Sequence, residues 1–274
     1  MPDHAARSPL SLAEKSGAVL LLLGYGLLPF HPGLAIAVFG LFPLLCLTAP
    51  FCPRFAFFLP IVCRGTGKAG RSSVAITLDD SPNPASTPVL LELLARYGLT
   101  ATFFVIGDKA ARHPELVSAI LAGGHSIGNH SARHDPLLML RSQDTLRRDI
   151  LRTQEVLRRQ GVVPRVFRPP AGITSSRLKR VLEEMDLTVV NYSCQAFDRG
   201  NRNITNLAEK ILSRLRPGGI VMLHDLPPKN QDMAQWQAEL ERIFSVVRSN
   251  DNVVSLEEMI GQPVMERLPP GPLP

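Results

Sequence analysis

The chain has 274 residues, enough for one domain with a full hydrophobic core and an additional element. Lys and Arg number 30 against 24 Asp and Glu, a net charge of +6, which suits a membrane surface or a phosphate-bearing substrate and equally an ordinary solvated surface. There is no dense basic run and no aromatic stacking platform, which argues against nucleic acid as a partner, and no obligate protein partner is evident. The 4 cysteines form no CxxC pair, which argues against a disulfide framework or a zinc–thiolate site.

Residues 1–15 read as a polar, irregular N-terminus. Between Lys15 and Arg54 there is no Lys, Arg, Asp or Glu, a pattern expected of a membrane element. One straight helix over 16–53 would measure ~57 Å, nearly twice the hydrocarbon thickness. The His31-Pro32-Gly33 turn signal instead predicts two short helices forming a transmembrane hairpin, so 16–63 reads as an anchor in contact with membrane lipid. A cleaved signal peptide fits less well, because the apolar region is long and no small-residue cleavage pattern follows it.

After a linker at 64–72, alternating strands and helices are expected over a domain at 73–260. Strands are predicted at Ser73–Leu78, Thr100–Ile106, near Val166, Thr188–Tyr192, Gly219–Leu223 and Asn252–Ser255. Helices are predicted at Pro88–Tyr97 (capped by Ser86 or Thr87), Pro114–Ala122, Leu146–Leu157, Ser176–Glu184, Leu207–Leu215 and Met233–Val247. Such βα units imply a mainly parallel sheet, open or closed into a barrel. The Pro-rich tail, 261–274, reads as loose.

Three groups carry chemistry. Asp79-Asp80 ends an apolar strand, the place where catalytic groups gather in βα barrels; a plain polar turn is the competing reading. His130 and His134 are spaced i, i+4, so one helical turn would aim both at one ion, and with Asp80 they make a two-His, one-carboxylate set suited to zinc or a similar divalent ion. His224 stands at the mouth of the strand Val221-Met222-Leu223, a fitting place for a general acid.

In order, these motifs resemble the polysaccharide deacetylases with a NodB homology domain. The matching segments are Thr77-Leu78-Asp79-Asp80-Ser81-Pro82, His130-Ser131-Ala132-Arg133-His134, Arg168-Pro169-Pro170-Ala171-Gly172, Ala196-Phe197-Asp198 and Leu223-His224. The resemblance implies a distorted (β/α) barrel of the NodB type. It also implies Asp79 as catalytic base, aligned by Arg168, with Asp80, His130 and His134 as metal ligands. His224 would be the acid, tuned by Asp198. Ala171, Pro170 and Leu223 would lie beside the substrate or oxyanion. Three departures touch the substrate or acyl pocket: Ser81 for glycine, Ala171 for an aromatic residue, and Arg199 where a tryptophan is usual.

The function expected is metal-dependent hydrolysis of an N-acyl group, N-acetyl foremost, from an amino sugar. Zn2+ is the expected ion, with Co2+ or another divalent ion as substitute. The substrate is a polymeric or a lipid-linked saccharide. Alternatives are a deformylase of a lipid-linked amino sugar, a non-catalytic sugar-binding membrane protein, and a non-haem iron oxygenase. The oxygenase has no use for a second aspartate beside the ligand. Arg7, Lys15, Arg54, Arg64, Lys68 and Arg71 flank the apolar tract while its turn has no Lys or Arg. By the positive-inside tendency the domain then faces the cytoplasm from the inner membrane, the periplasmic face being the alternative for a single span.

Overall fold

The computed structural model describes residues 10–229, 232–250 and 252–269. Helix α1 (Leu12–Leu27) begins inside the stretch expected to be irregular. The reason is a capping box: the Ser11 hydroxyl accepts from the Glu14 N–H at 3.2 Å, and the Glu14 carboxylate accepts from the Ser11 N–H at 2.7 Å. Helix α2 (Pro32–Thr48) starts on Pro32, whose fixed φ and missing N–H suit the first helical turn.

The two helices lie side by side because glycines let them approach. A Cβ at Gly24 would overlap the Phe39 ring, and one at Gly17 would lie 3.0 Å from the Phe42 ring. The outward positions are large and apolar, with Leu22, Ile36 and Leu47 exposed. The segment Pro32–Phe51, 20 residues with mean hydropathy 2.2, is long and apolar enough to cross a membrane by length and composition.

The remaining chain builds a curled parallel sheet. Its strands are β1 (Ser73–Ser81), β2 (Ala101–Val105), β3 (Ser126–Asn129), β5 (Val166–Phe167), β6 (Thr188–Val189), β7 (Ile220–His224) and β8 (Asn252–Val253). The order is β6-β5-β3-β2-β1-β7, and β8 pairs with the start of β1. All nine residues of β1 are buried, as expected of a central parallel strand covered on both faces. Alternation splits it. Val74, Ile76 and Leu78 pack outward with Phe103, Leu90, Leu94 and Trp236, while Ala75 joins Phe104, Val166, Ile220 and Met222 on the inner side. Each fully buried Leu or Phe in these layers contributes about 1.5–3 kcal/mol.

The strand expected over Thr188–Tyr192 is shorter, yet its continuation curls back to β7. The Cys194 N–H donates to the Ile220 carbonyl, and the Met222 N–H to the Cys194 carbonyl. The sheet therefore curls into a half-barrel, and isolated bridges, Val62 to Val190, Arg64 to Gly219 and Cys194 to Val221, stand between its edges where a ladder would otherwise run.

Two boundaries differ from expectation. Residues 64–72 are no free linker: Gly67–Ser72 is helical, and Arg64 bridges Gly219. The tail is not loose throughout, because Val264 is buried and β9 (Met265–Arg267) pairs antiparallel with β4 (Val162–Pro164). Residues 270–274 lie outside the described residues. Helices Pro114–Ala122 and Ser176–Glu184 have the expected bounds. The expected caps of the helix Thr87–Arg96 do not act as caps. The hydroxyls of Ser86 and Thr87 donate instead to the buried Asp225 carboxylate, at 2.6 and 2.5 Å.

Candidate active site

The C-terminal ends of β1, β3, β5 and β7 meet at one rim. Parallel pairing sets Asp79 of β1 directly beside His224 of β7. Asp80 follows with φ +66°, a left-handed turn that swings its carboxylate away from that of Asp79. His130 lies just beyond β3, and Arg168 just beyond β5.

Arg168 is fully buried, and each of its three guanidinium nitrogens has a hydrogen-bond partner. Nη1 donates to Asp79 Oδ1 at 2.5 Å and to Thr77 Oγ1 at 2.8 Å, Nε to the Val190 carbonyl at 2.9 Å, and Nη2 to the Asn191 carbonyl at 3.1 Å. The Phe104 ring lies 3.9 Å from the guanidinium carbon. So many fixed partners leave Asp79 one orientation. Removing one member of such a buried pair costs about 3–5 kcal/mol, because the other charge stays buried.

His130 Nδ1–H donates to the Arg168 carbonyl at 2.7 Å, which leaves the Nε2 lone pair facing the cavity. That Nε2 is 3.7 Å from Asp80 Oδ1, and His134 Nε2 is 3.3 Å from the same oxygen. Burial pulls the His130 pKa down to about 4, so the ring is neutral at physiological pH. Asp80 is pushed up by burial, yet its His134 and His130 neighbours outweigh this and hold it below the ordinary carboxylate range. Asp80 Oδ1 is buried with no hydrogen-bond partner. One ligand atom from each of the three residues falls within 4.8 Å of the others. An orphaned carboxylate oxygen facing two imidazoles, one with its lone pair fixed inward, fits a divalent cation.

The expected helical turn between the two histidines is not there. His130–His134 is a loop with positive φ at Ser131 (+68°) and His134 (+54°). Side chains hold it: Asn129 Oδ1 accepts from the Ser131 N–H, Ser131 Oγ from the His134 N–H, and Asp149 Oδ1 from the Ala132 N–H. These local acceptors compete with helical bonding and win.

Across the cavity, His224 Nδ1–H donates to Asp198 Oδ2 at 2.8 Å. Burial lowers the His224 pKa, but the Asp198 hydrogen bond and charge, with Asp79 and Asp80 behind, push it up to about 9. Asn201 secures this pair: its N–H donates to Asp198 Oδ2, and its side-chain amide donates to the carbonyls of His224 and Leu226. Lys109 Nζ donates to the Asp80 carbonyl at 2.6 Å. Neither Asn201 nor Lys109 stands in a recognisable motif, and only the fold reveals them.

The cavity holds about 650 Å3 and is lined by Asp79, Asp80, His130, His134, Ala171, Tyr192, Met222, Asp198, Arg199 and His224 among others. Ala171, at φ +54°, reaches it. Pro170 and Leu223 do not line it. Leu223 alternates with His224 along β7 and so turns into the outer core, while Met222 faces the cavity. Arg168 sits behind Asp79 rather than on the wall.

The polysaccharide deacetylase family model matches residues 66–190. The chain is 32% identical over 191 residues to the peptidoglycan-N-acetylglucosamine deacetylase PgdA of Listeria monocytogenes, covering 69% of this chain but only 39% of that protein. It is 36% identical over 169 residues to a chitooligosaccharide deacetylase of Azorhizobium caulinodans, 61% of this chain and 79% of that protein. The crystal structure of the Bc1960 peptidoglycan N-acetylglucosamine deacetylase superimposes with a TM-score of 0.66 at 27% identity, covering 74% of this chain and 94% of that one. The chain spans well under half of the Listeria protein but most of the other two. The chain therefore belongs to the polysaccharide deacetylase family, hydrolases that cleave amide carbon–nitrogen bonds other than peptide bonds.

Proposed function

We propose that this protein hydrolyses the N-acetyl group of an amino sugar. The observation that carries this reading is the pairing of Asp79 and His224 on adjacent strands, each with its own fixed partner, Arg168 and Asp198. One carboxylate and one imidazole facing a common cavity suit removal of a proton on one side and delivery on the other.

Asp80, His130 and His134 would hold a divalent ion, zinc in this reading with cobalt as substitute, which supplies Lewis acidity to the acyl carbonyl and to water. Asp79, aimed by Arg168, takes the proton of the attacking water as its oxygen bonds the carbonyl carbon. The backbone N–H of Ala171 faces the oxygen that becomes negative. His224, protonated at neutral pH by virtue of its pKa of about 9, gives its proton to the sugar nitrogen as the C–N bond breaks. The products are acetate and the free amine.

The helices α1 and α2 are read as a membrane hairpin that leaves the domain on the cytoplasmic face of the inner membrane. The apolar exposed faces and the arginines at 54, 64 and 71 support this. A C-terminal reporter active only in the periplasm tests the side: a strong signal there overturns it. The chemistry is tested with purified protein on an N-acetylglucosamine oligomer, measuring acetate and the new amine. No acetate at any metal loading sinks the proposal.

A further inference from the structure

The chain leaving α2 does not swing free of the catalytic rim; it is fastened to it. Pro50 carbonyl accepts from the Thr174 N–H at 3.2 Å, and Pro53 carbonyl from the Asn191 side-chain amide at 2.6 Å. Arg54 Nη2 donates to the Ser193 carbonyl at 2.9 Å, and Pro53 packs so close to Gly172 that a Cβ there would lie 2.8 Å from it. Gly172 and Tyr192 also line the catalytic cavity. The apolar helix therefore ends at the mouth of the site.

Between this segment and the rim runs a second groove of about 460 Å3, walled by Cys52, Pro53, Phe55, Tyr192 and Phe197. It shares Tyr192, Gln195 and Phe197 with the catalytic cavity, so the two spaces adjoin along these residues. Phe197 is 63% exposed and Phe55 38% exposed, and Phe51 and Leu47 of the apolar helix end are exposed as well. Leu47 and Phe51 lie at the end of the apolar helix, and Phe55 stands on the groove wall. Large apolar side chains left exposed in this way are costly unless something apolar covers them.

Arg199 and Arg202 line the cavity beside Phe197, and neither has a hydrogen bond or ion pair among the described residues. Arg54 stands on the groove wall. Guanidinium groups in that position match a phosphate oxygen cluster.

We propose that the substrate is an amino sugar joined through a phosphate to a hydrocarbon chain, with the sugar in the cavity, the phosphate on Arg199 and Arg202, and the chain in the groove formed by Phe55 and Phe197. This rests on the deacylase reading for the sugar's position. A polymeric saccharide has no chain for the groove and no phosphate for the arginines.

The test separates the two readings by measuring binding and hydrolysis independently. Binding to the detergent-solubilised full chain uses the deacylated compound, glucosaminyl phosphate, with and without a short prenyl chain. Hydrolysis uses the corresponding N-acetylglucosaminyl phosphates. The chain should tighten binding by at least ~10-fold, since each buried methylene adds to the transfer free energy. Phe55→Ser and Phe197→Asn should each shrink that ratio several-fold; asparagine tolerates the positive φ of +56° at position 197. Arg199→Gln with Arg202→Gln should weaken the phosphate compounds against a prenyl glycoside lacking phosphate. Equal binding with and without the chain, or a ratio untouched by both phenylalanine variants, overturns the groove. Chain-dependent binding without acetate release leaves the groove standing and overturns the deacylase reading.

Discussion

Asp198 offers the most discriminating perturbation, because it acts on His224 and not on the ion. In Asp198→Asn the side-chain oxygen still accepts from His224 Nδ1–H and from the Asn201 N–H, both of which now meet the same carboxylate oxygen. Geometry is kept and charge is lost. Burial alone lowers the His224 pKa, and the Asp198 hydrogen bond and charge are the foremost forces raising it to about 9. Without them the ring falls toward its ordinary value of 6.5, which sets the limit of the effect because Asp79 and Asp80 still raise it. The acid must carry a proton to work, so the variant's defect depends on pH. From those two pKa values the protonated fraction at about pH 8 falls from about 0.9 to about 0.03, roughly a 30-fold loss, whereas at about pH 6 the loss is under about 2-fold. The assay is a pH profile of kcat/KM on a soluble N-acetylglucosamine oligomer, with metal content measured in parallel. The alkaline limb should move down in the variant, by up to about two pH units. An equal loss at every pH would mean that Asp198 only positions the ring, and the argument from charge would be refuted.

Three further outcomes are expected. Asp79→Asn should lower activity by ~10²–10⁴-fold while the protein retains its metal, and loss of the metal would show that ligand and base have been exchanged. Its melting temperature should fall too, since the Arg168 charge is left uncompensated in the core. Chelation should abolish hydrolysis and zinc or cobalt restore it; full activity after chelation contradicts the site at Asp80, His130 and His134. Burial, against the hydroxyls of Ser86 and Thr87, pushes Asp225 up to about 6, so the folded state holds a proton that the unfolded chain has released. Its contribution to stability is therefore present at acid pH and lost as pH rises through about 6; Asp225→Asn should flatten the stability-versus-pH curve in that window, and an unchanged slope counts against the shift.

The parts of the molecule legible in the sequence are those governed by local periodicity. The continuous apolar run of β1 and the helical spacing in Ser176–Glu184 leave little choice of structure. What escaped was decided by tertiary partners. β3, Ser126-Ile127-Gly128-Asn129, has too few apolar residues to announce a strand. Neighbours make it one: a Cβ at Gly128 would lie 2.6 Å from the Phe104 ring, so that strand and ring pack in direct contact. The spacing of His130 and His134 suggested a helix, yet Asn129, Ser131 and Asp149 supply acceptors that the spacing alone does not reveal. Ser86 and Thr87 read as caps because capping is a local role, and Asp225 draws them away from 139 and 138 residues along the chain.

The same distinction separates the candidate site residues, legible in the sequence, from the residues that hold them. Asp79, Asp80 and His224 end apolar strands, so their exposure at a rim follows from strand geometry. The inward face of β7 is not legible in the sequence, since a two-residue period gives either Met222 or Leu223 to the cavity until the register with β1 is known. That register pairs Leu78 with Leu223 and Asp79 with His224, which sends Leu223 outward with the core and His224 inward beside Asp79. One hydrogen-bonded pairing thus decides both the reach of His224 and the wall next to it. By the same logic Arg199 and Phe197, on a loop with positive φ at both residues, owe their place to no strand or helix. Within the limits that this positive φ sets, a change there touches no barrel strand, which is where a family with fixed chemistry would adjust what it recognises.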